Sequence, residues 1–436
     1  MKTLSILLTK LSYSILKLIG RGGSLPGTIG LKMDKNILSK LQFNGPIILV
    51  TGTNGKTSTA NMITDLFSHA GYNVISNRKG DNMRPGIVTT ILSNTCLNGQ
   101  CKANAVVLEV DELNIKYVLP QLPVSALVVT NFFRDQLDRA KEMEQLIQSI
   151  ESVLDTYEGK LILNGNDPNV VRLALKAKKA ERLYFGMDKN IYSSDISKEA
   201  NEGKFCPKCG NHLVYDYYQY SHIGKFKCSN CDFATPELFV LLKNINLDQN
   251  SFVLDNQSFK CPYDGLYSMY NCAVVLAVAK TYYIDYTYVN QVFEHAPKPK
   301  GRNESFEKNG TKCTLNLVKN PTGANEVMKV IERDHSEKNI CIVLNDKEQD
   351  GTDVSWIYDT LFEKIMDTHT NTIICTGSRG YDMALRIYYS DFKGNLEVVE
   401  DLDSAVSLTL KKGSNIYVIA TYTALLPARN AIIKEL

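Results

Sequence analysis

Two groups of residues in this 436-residue chain have types and spacings suited to chemistry. The first is the run Gly52, Thr53, Asn54, Gly55, Lys56, Thr57 and Ser58 in "ILVTGTNGKTST". Glycines let backbone N–H groups curl around phosphate oxygens, and a helix starting next adds the positive end of its dipole. Lys56 is placed to neutralise charge on the outer phosphates of ATP, and the Thr57 hydroxyl to ligate Mg2+. The spacing is shorter than in the generic phosphate loop, which would put its first glycine at Val50. Context carries the reading: an apolar run precedes the loop, and Met62, Ile63, Leu66 and Phe67 follow in an amphipathic segment.

The second group is Cys206, Cys209, Cys228 and Cys231, two CxxC pairs in "FCPKCGNHLVYDYYQYSHIGKFKCSNC". Each pair turns two thiolates toward one ion, and two pairs complete a tetrahedral Zn2+ site of the ribbon type. A closed four-thiolate site leaves no position for water, so its expected part is structural. His212 and His222 read as ordinary polar loop residues, and Tyr215, Tyr217, Tyr218 and Tyr220 as packing on the small ribbon.

Elements to hold these groups are legible around them. β-rich runs at "PIILV" (46–50), "NAVVLEV" (104–110), "VSALVVT" (124–130) and "KLILN" (160–164) alternate with helical patterns, which predicts a mostly parallel sheet covered on both faces. The alternation breaks at about 198–236, around the cysteine pairs, and resumes with a helical segment at Tyr270. "PKPKGRNESF" (297–306) reads as a linker, and "NICIVLND" (339–346), "NTIICTG" (371–377) and "NIYVIATYT" (415–423) as buried strands of a second, Rossmann-like α/β domain. The expected division is an N-terminal helix and loop over 1–40, an ATP-binding domain over 41–300 carrying a zinc-ribbon insertion at 200–236, and a C-terminal domain over 301–436.

A charge of +2, from 49 basic and 47 acidic residues, gives no electrostatic reason for a nucleic-acid partner. Eleven cysteines in a large chain without a clear secretory signal read as thiols of a reducing cytoplasm. "GRGGSLPGTIG" (20–30) reads as an ordered loop or a substrate-side turn. At the N-terminus, Leu4, Leu7, Leu8, Leu11, Ile15 and Leu18 fall at helical spacing, with Lys2, Lys10 and Lys17 interrupting them too often for a membrane span. Such a helix either docks on its own domain or lies on a membrane surface.

The loop "TGTNGKTST" resembles that of the Mur ligase family, whose members activate a carboxylate as an acyl phosphate and then aminate it. Further segments resemble that family in the same order. Glu109 in "VLEVDE" matches a magnesium-binding Glu, Thr130 and Asn131 its TN segment, and Asn164, Asp167 and Pro168 a stretch near the nucleotide. Gly265 and Asn271 match its GxHNxxN, Arg302 a linker arginine that reaches the γ-phosphate, and "NLVKNP" (316–321) its DYAHNP. Gln136, Tyr267, Asn316 and Lys319 depart from the family's pattern, and no Lys near residue 151 matches its carbamylated lysine.

The short N-terminal region and the cysteine insertion are similar to the MurT subfamily. That resemblance implies amidation of the α-carboxylate of D-Glu in the lipid II stem peptide, with ammonia from a GatD-like class I glutamine amidotransferase as partner subunit. It places an acid of the partner's Cys–His pair at Asp353 in "DGTDVSW", with Asp350 as the alternative, at the inner face of the cell membrane; read from its own turn, Asp353 also fits as the cap of a helix beginning near Ser355. Cys341 and Cys375 sit in apolar strand patterns and read as structural thiols, so the chain shows no glutaminase of its own. Trp356 reads as an interface anchor or a core residue. Two other readings share these residues: an amino-acid-adding ligase akin to the folylpolyglutamate synthases, and a nucleotide-binding regulatory protein.

Overall fold

The computed structural model describes residues 1–18, 23–78, 81–134, 143–197, 199, 202–297, 301, 303–413 and 415–436; Gln136 and Arg302 lie outside them. The apolar runs become the centre of a nine-stranded sheet. Its strands are β1 (Ile47–Thr51), β2 (Val74–Ser76), β3 (Ala105–Glu109), β4 (Ala126–Val129), β5 (Lys160–Asn164), β6 (Glu181–Met187), β9 (Val240–Asn246), β10 (Ser251–Leu254) and β11 (Gln257–Lys260). They lie in the order β11-β10-β9-β6-β5-β4-β1-β3-β2. All pairs are parallel except β9–β10 and β10–β11.

Every residue of β1, β3 and β4 is buried, as strands covered on both faces require. Ile48 and Val50 face α3 (Lys56–His69) and the helix Leu266–Thr281, while Ile47 and Leu49 face α4 (Arg84–Ser93). Because β1 lies between β3 and β4, the chain departs in opposite directions on its two sides. Ligands of open α/β sheets bind at the carboxyl ends of strands at such a switch point, where Gly52–Gly55 follow β1.

The crossover from β6 to its parallel neighbour β9 carries the cysteine pairs. It contains a two-stranded antiparallel hairpin, β7 (Leu213–Tyr220) and β8 (Ile223–Cys228). The C-terminal sheet has six strands: β12 (Glu304–Lys308), β13 (Thr311–Leu317), β14 (Lys338–Val343), β15 (Thr370–Thr376), β16 (Asn395–Val398) and β17 (Asn415–Ala420). Their order is β12-β13-β17-β14-β15-β16, parallel apart from the β12–β13 hairpin.

The described part of 20–30 is not a loop. Leu25–Met33 forms helix α2, with Pro26 in its first turn, where a missing N–H costs nothing. Its glycines serve close packing: a Cβ on Gly27 would stand 1.8 Å from the Pro85 carbonyl oxygen, and one on Gly30 would stand 2.5 Å from Thr9 Oγ1. The second partner belongs to α1 (Lys2–Leu18), which docks through Ser5, Ile6 and Thr9. Among the described residues no helix is long and apolar enough to cross a membrane.

Candidate active site and metal centre

Gly52 and Gly55 have φ of +122° and +85°, a region closed to most side chains, which is why the loop needs glycine there. Crowding adds to this: a Cβ on Gly52 would stand 2.3 Å from Thr130 Oγ1, and one on Gly55 would stand 2.3 Å from Asn271 Oδ1. Gly55 is the N-cap of α3 and has no side chain to cap it, which suits the first turn to an anion. The loop is held from the β4 side. Asn131 accepts the Asn54 N–H at 2.9 Å and donates to its carbonyl at 3.0 Å, and Thr130 Oγ1 donates to the same carbonyl at 2.8 Å. Thr57 is exposed beside these groups. Loop, helix start and hydroxyl therefore fit a nucleotide phosphate with Mg2+.

Lys56 Nζ is held by the Gly52 carbonyl at 2.5 Å and by Glu112 Oε1 at 3.0 Å. Burial pushes the Glu112 carboxyl above its ordinary range, and the Lys56 charge partly opposes that. Sequence reasoning missed Glu112; its one signal was an acid three residues beyond Glu109 in a polar turn after a strand. Glu109 pairs in register with Val50, which places it at the loop's base, and its Oε1 accepts from Asn82 at 2.8 Å.

A cleft of about 690 Å3, including its open mouth, separates the loop from the C-terminal sheet's first turns. Asn54, Gly55, Phe133, Tyr267, Lys319 and Glu326 are among its lining. The residues that depart from the family's pattern, Tyr267, Asn316 and Lys319, thus share one cavity with the phosphate loop. Asn320 caps the helix Pro321–Glu332 and approaches Asn54 Oδ1 at 3.4 Å, linking the two sheets.

Asn164 and Asp167, which the resemblance places near the nucleotide, are both fully buried. Asn164 donates to the Thr130 carbonyl at 3.0 Å. Asp167 caps the helix Pro168–Val171, accepts the Phe132 N–H at 2.9 Å, and stands 3.3 Å from His222 Nε2. His222 is likewise fully buried, contrary to its reading as a polar loop residue. It sits at the β7–β8 tip against the Phe133 ring, with centroids 4.8 Å apart, and the Phe133 N–H donates to Thr53 Oγ1 at 3.1 Å.

The hairpin tip is thereby connected to the phosphate loop through two residues. Asp167→Ala strands the buried Phe132 and Asn169 N–H groups, each worth about 1–3 kcal/mol. The expected loss in urea unfolding is therefore about 3 kcal/mol, and a loss below about 1 kcal/mol would show that the link is incidental. Tyr220, beside His222, belongs to the core of the nine-stranded sheet and not to the ribbon alone. Lys329 lies over its ring and bonds Glu199 at 2.6 Å and Glu326 at 2.7 Å, a partly buried cluster that no local pattern announces.

The four cysteine sulfurs lie within 4.8 Å of one another, with Cys206–Cys231 at 3.6 Å and Cys209–Cys228 at 3.4 Å. Sulfurs bound at ~2.3 Å in a tetrahedron stand ~3.8 Å apart, so the set fits Zn2+. Each knuckle also turns an N–H to sulfur: Lys208 to Cys206 and Asn230 to Cys228, both at 3.4 Å. The Asn211 backbone and side-chain N–H groups hold the Cys209 thiol down to about 6. Metal analysis should find zinc in the purified chain, and Cys228→Ser/Cys231→Ser should abolish it; zinc retained by that variant would refute the site.

In the C-terminal domain the two candidate acids separate by burial. Asp350 is 2% exposed, with its oxygens bonded to the Thr423 N–H and hydroxyl. Asp353 is exposed and accepts the Ser355 N–H at 2.8 Å, at the start of the short 3-10 helix Ser355–Tyr358. Trp356 is half-buried against the core of this domain. Cys341 and Cys375 are fully buried in β14 and β15, and burial raises both thiols.

Comparison with known proteins agrees with this geometry. Residues 50–235 match the Mur ligase middle domain and residues 317–425 the MurT ligase C-terminal domain. The lipid II isoglutaminyl synthase (glutamine-hydrolyzing) subunit MurT of Streptococcus pneumoniae is 31% identical over 99% of this chain and 96% of its own length. The protein of the same name from Staphylococcus aureus strain COL is 32% identical over 97% and 96%. Among solved structures, a pseudomurein peptide ligase type C from Methanothermus fervidus superposes with a TM-score of 0.66 at 20% identity, covering 92% of this chain and 81% of that one. The MurF ligase of Thermotoga maritima in complex with ADP superposes at 0.60 and 14% identity, covering 93% and 84%. Loop, cleft and two-sheet architecture are thus those of a ligase, and the chain belongs to the Mur ligase family, in its MurT branch.

Proposed function

We propose that this chain is the synthetase subunit that amidates the α-carboxylate of D-Glu in the lipid II stem peptide, giving D-isoglutamine for peptidoglycan synthesis. The observation that carries the reading is the near full-length similarity to two subunits named for that activity, joined to a phosphate loop that opens on a cleft between two sheets. Gly52–Ser58 bind the ATP phosphates; Thr57 and Glu109 would hold Mg2+, which would supply charge neutralisation there. Asn131 and Asn271 keep the loop in shape, and the family resemblance assigns the γ-phosphate to Arg302. The acceptor carboxylate takes the γ-phosphoryl group and ADP departs; Lys56 stabilises the charge on the transferring oxygens. Ammonia then attacks the acyl carbon, phosphate leaves, and a proton is released.

Ammonia comes from a GatD-like glutaminase bound to the C-terminal domain, since ammonium at neutral pH is almost wholly protonated. Asp353 is the acid offered to that partner's Cys–His pair. Domain boundaries follow the two sheets, near residue 300, with the ribbon as an insertion and the work done at the inner membrane face. The test is reconstitution. With a candidate glutaminase, lipid II, ATP and glutamine, mass spectrometry should show amidated lipid II; ATP hydrolysis without an amidated product would remove the proposal.

A further inference from the structure

Helix α1 docks by its small side. Ser5 and Thr9 are fully buried with Ile6, and the Ser5 hydroxyl donates to the Gly30 carbonyl at 2.9 Å. The apolar stripe noted in the sequence points the other way. Leu4 is 43% exposed, Leu7 48%, Leu11 56%, Ile15 56% and Leu18 88%. At about 100° per residue these five side chains fall within roughly 80° of arc, on the side of the helix opposite the docked face.

An amphipathic helix usually hides such a stripe. This one hides its polar side and leaves the larger apolar groups to solvent. Leu97 is also exposed at 46%, beside Asn98, whose carbonyl accepts from Lys2. The charges around the stripe are of one sign. Lys10 and Lys17 lie on one flank, Lys102 is close enough to Lys10 for the two charges to repel, and no acidic residue precedes Asp34. A second copy of the chain would bring a second set of lysines against the first. An interface of anionic headgroups over acyl chains satisfies both the apolar stripe and its basic flank.

We propose that the outer face of α1, with Leu4, Leu7, Leu11, Ile15 and Leu18 flanked by Lys10 and Lys17, seats the protein on an anionic phospholipid surface. The biological sense of the proposal rests on the reading of a lipid-linked acceptor. Its physical basis does not, because the stripe and its charges are independent of the cleft. Docked in this way, α1 remains packed on α2 and α4 and anchors the phosphate-binding domain without inserting across the bilayer.

The experiment is sedimentation of the full chain with vesicles of phosphatidylglycerol and phosphatidylcholine, without nucleotide or acceptor. The parent chain is expected to bind the anionic vesicles and to release as salt rises. Leu7→Glu/Leu11→Glu should lower the bound fraction at least about tenfold with the melting temperature unchanged. Leu11→Ser/Ile15→Ser, which adds no charge, should lose binding in the same direction. The proposal is overturned if the parent does not bind, if the variants bind as well as the parent, or if they instead lose association with the glutaminase subunit or with a second copy. Failed vesicle binding leaves the amidation reading standing, and failed amidation leaves vesicle binding standing.

Discussion

Lys56→Ala is expected to lower ATP-dependent turnover by about a thousandfold, because the lysine is the positive side chain held at the phosphate loop. The same change should also destabilise the fold. Lys56 and Glu112 form an ion pair 3.0 Å long whose side chains are only 13% and 8% exposed. Removing one partner of such a buried pair costs about 3–5 kcal/mol. The cost depends on pH in a definite direction. Burial already holds the Glu112 carboxyl above its usual range, and without Lys56 it rises further. A carboxyl whose folded pKa exceeds its unfolded value favours the fold at low pH, so the variant loses stability as pH rises through that folded value.

Lys56→Met/Glu112→Gln removes both charges and should recover most of the stability at neutral pH while recovering no turnover. ADP release and urea unfolding, measured on both variants, separate the two effects. Turnover regained by the double variant would show that Lys56 serves the fold alone.

Asp353→Asn should reduce glutamine-driven amidation by about ten-thousandfold, the scale seen when the orienting acid of a catalytic triad loses its charge. Amidation driven by high ammonium should stay within about twofold of the parent, because the cleft and phosphate loop are untouched. Asp350→Asn makes the contrast. Asp350 bonds Thr423 from a buried position, so its loss should lower the melting temperature and weaken both nitrogen sources together. Equal loss of glutamine and ammonium use in Asp353→Asn would sink the assignment across the interface.

Local sequence carried the features that depend on local physics. Strands β1, β3, β4, β5, β14, β15 and β17 were legible because buried parallel strands are continuous apolar runs. The phosphate loop and cysteine knuckles were legible because their ligand geometry fixes spacing. What escaped depends on tertiary contact. Glu112 reaches Lys56 across 56 residues, and His222 meets Asp167 in the same manner. His222 reads as a polar loop residue and Glu112 goes unremarked because nothing beside either in the chain reports its burial. Gly27 and Gly30 misled for the same reason: they suggest an ordered loop until the helices packed against them are known. The stretch holding Asn164 and Asp167 is legible by resemblance, but their bonds to the Thr130 carbonyl and the Phe132 N–H are not, because those partners lie more than thirty residues away in the chain.

The tip of the β7–β8 hairpin meets Asp167, Phe133 and, through Tyr220, the Lys329 cluster of the other sheet. Insertions are commonly treated as cassettes that lineages add or drop. This one cannot be excised so simply, since cutting it out would remove part of the wall behind the phosphate loop. A shortened descendant would have to acquire, in the same step, new apolar side chains to fill the places of Tyr220 and His222.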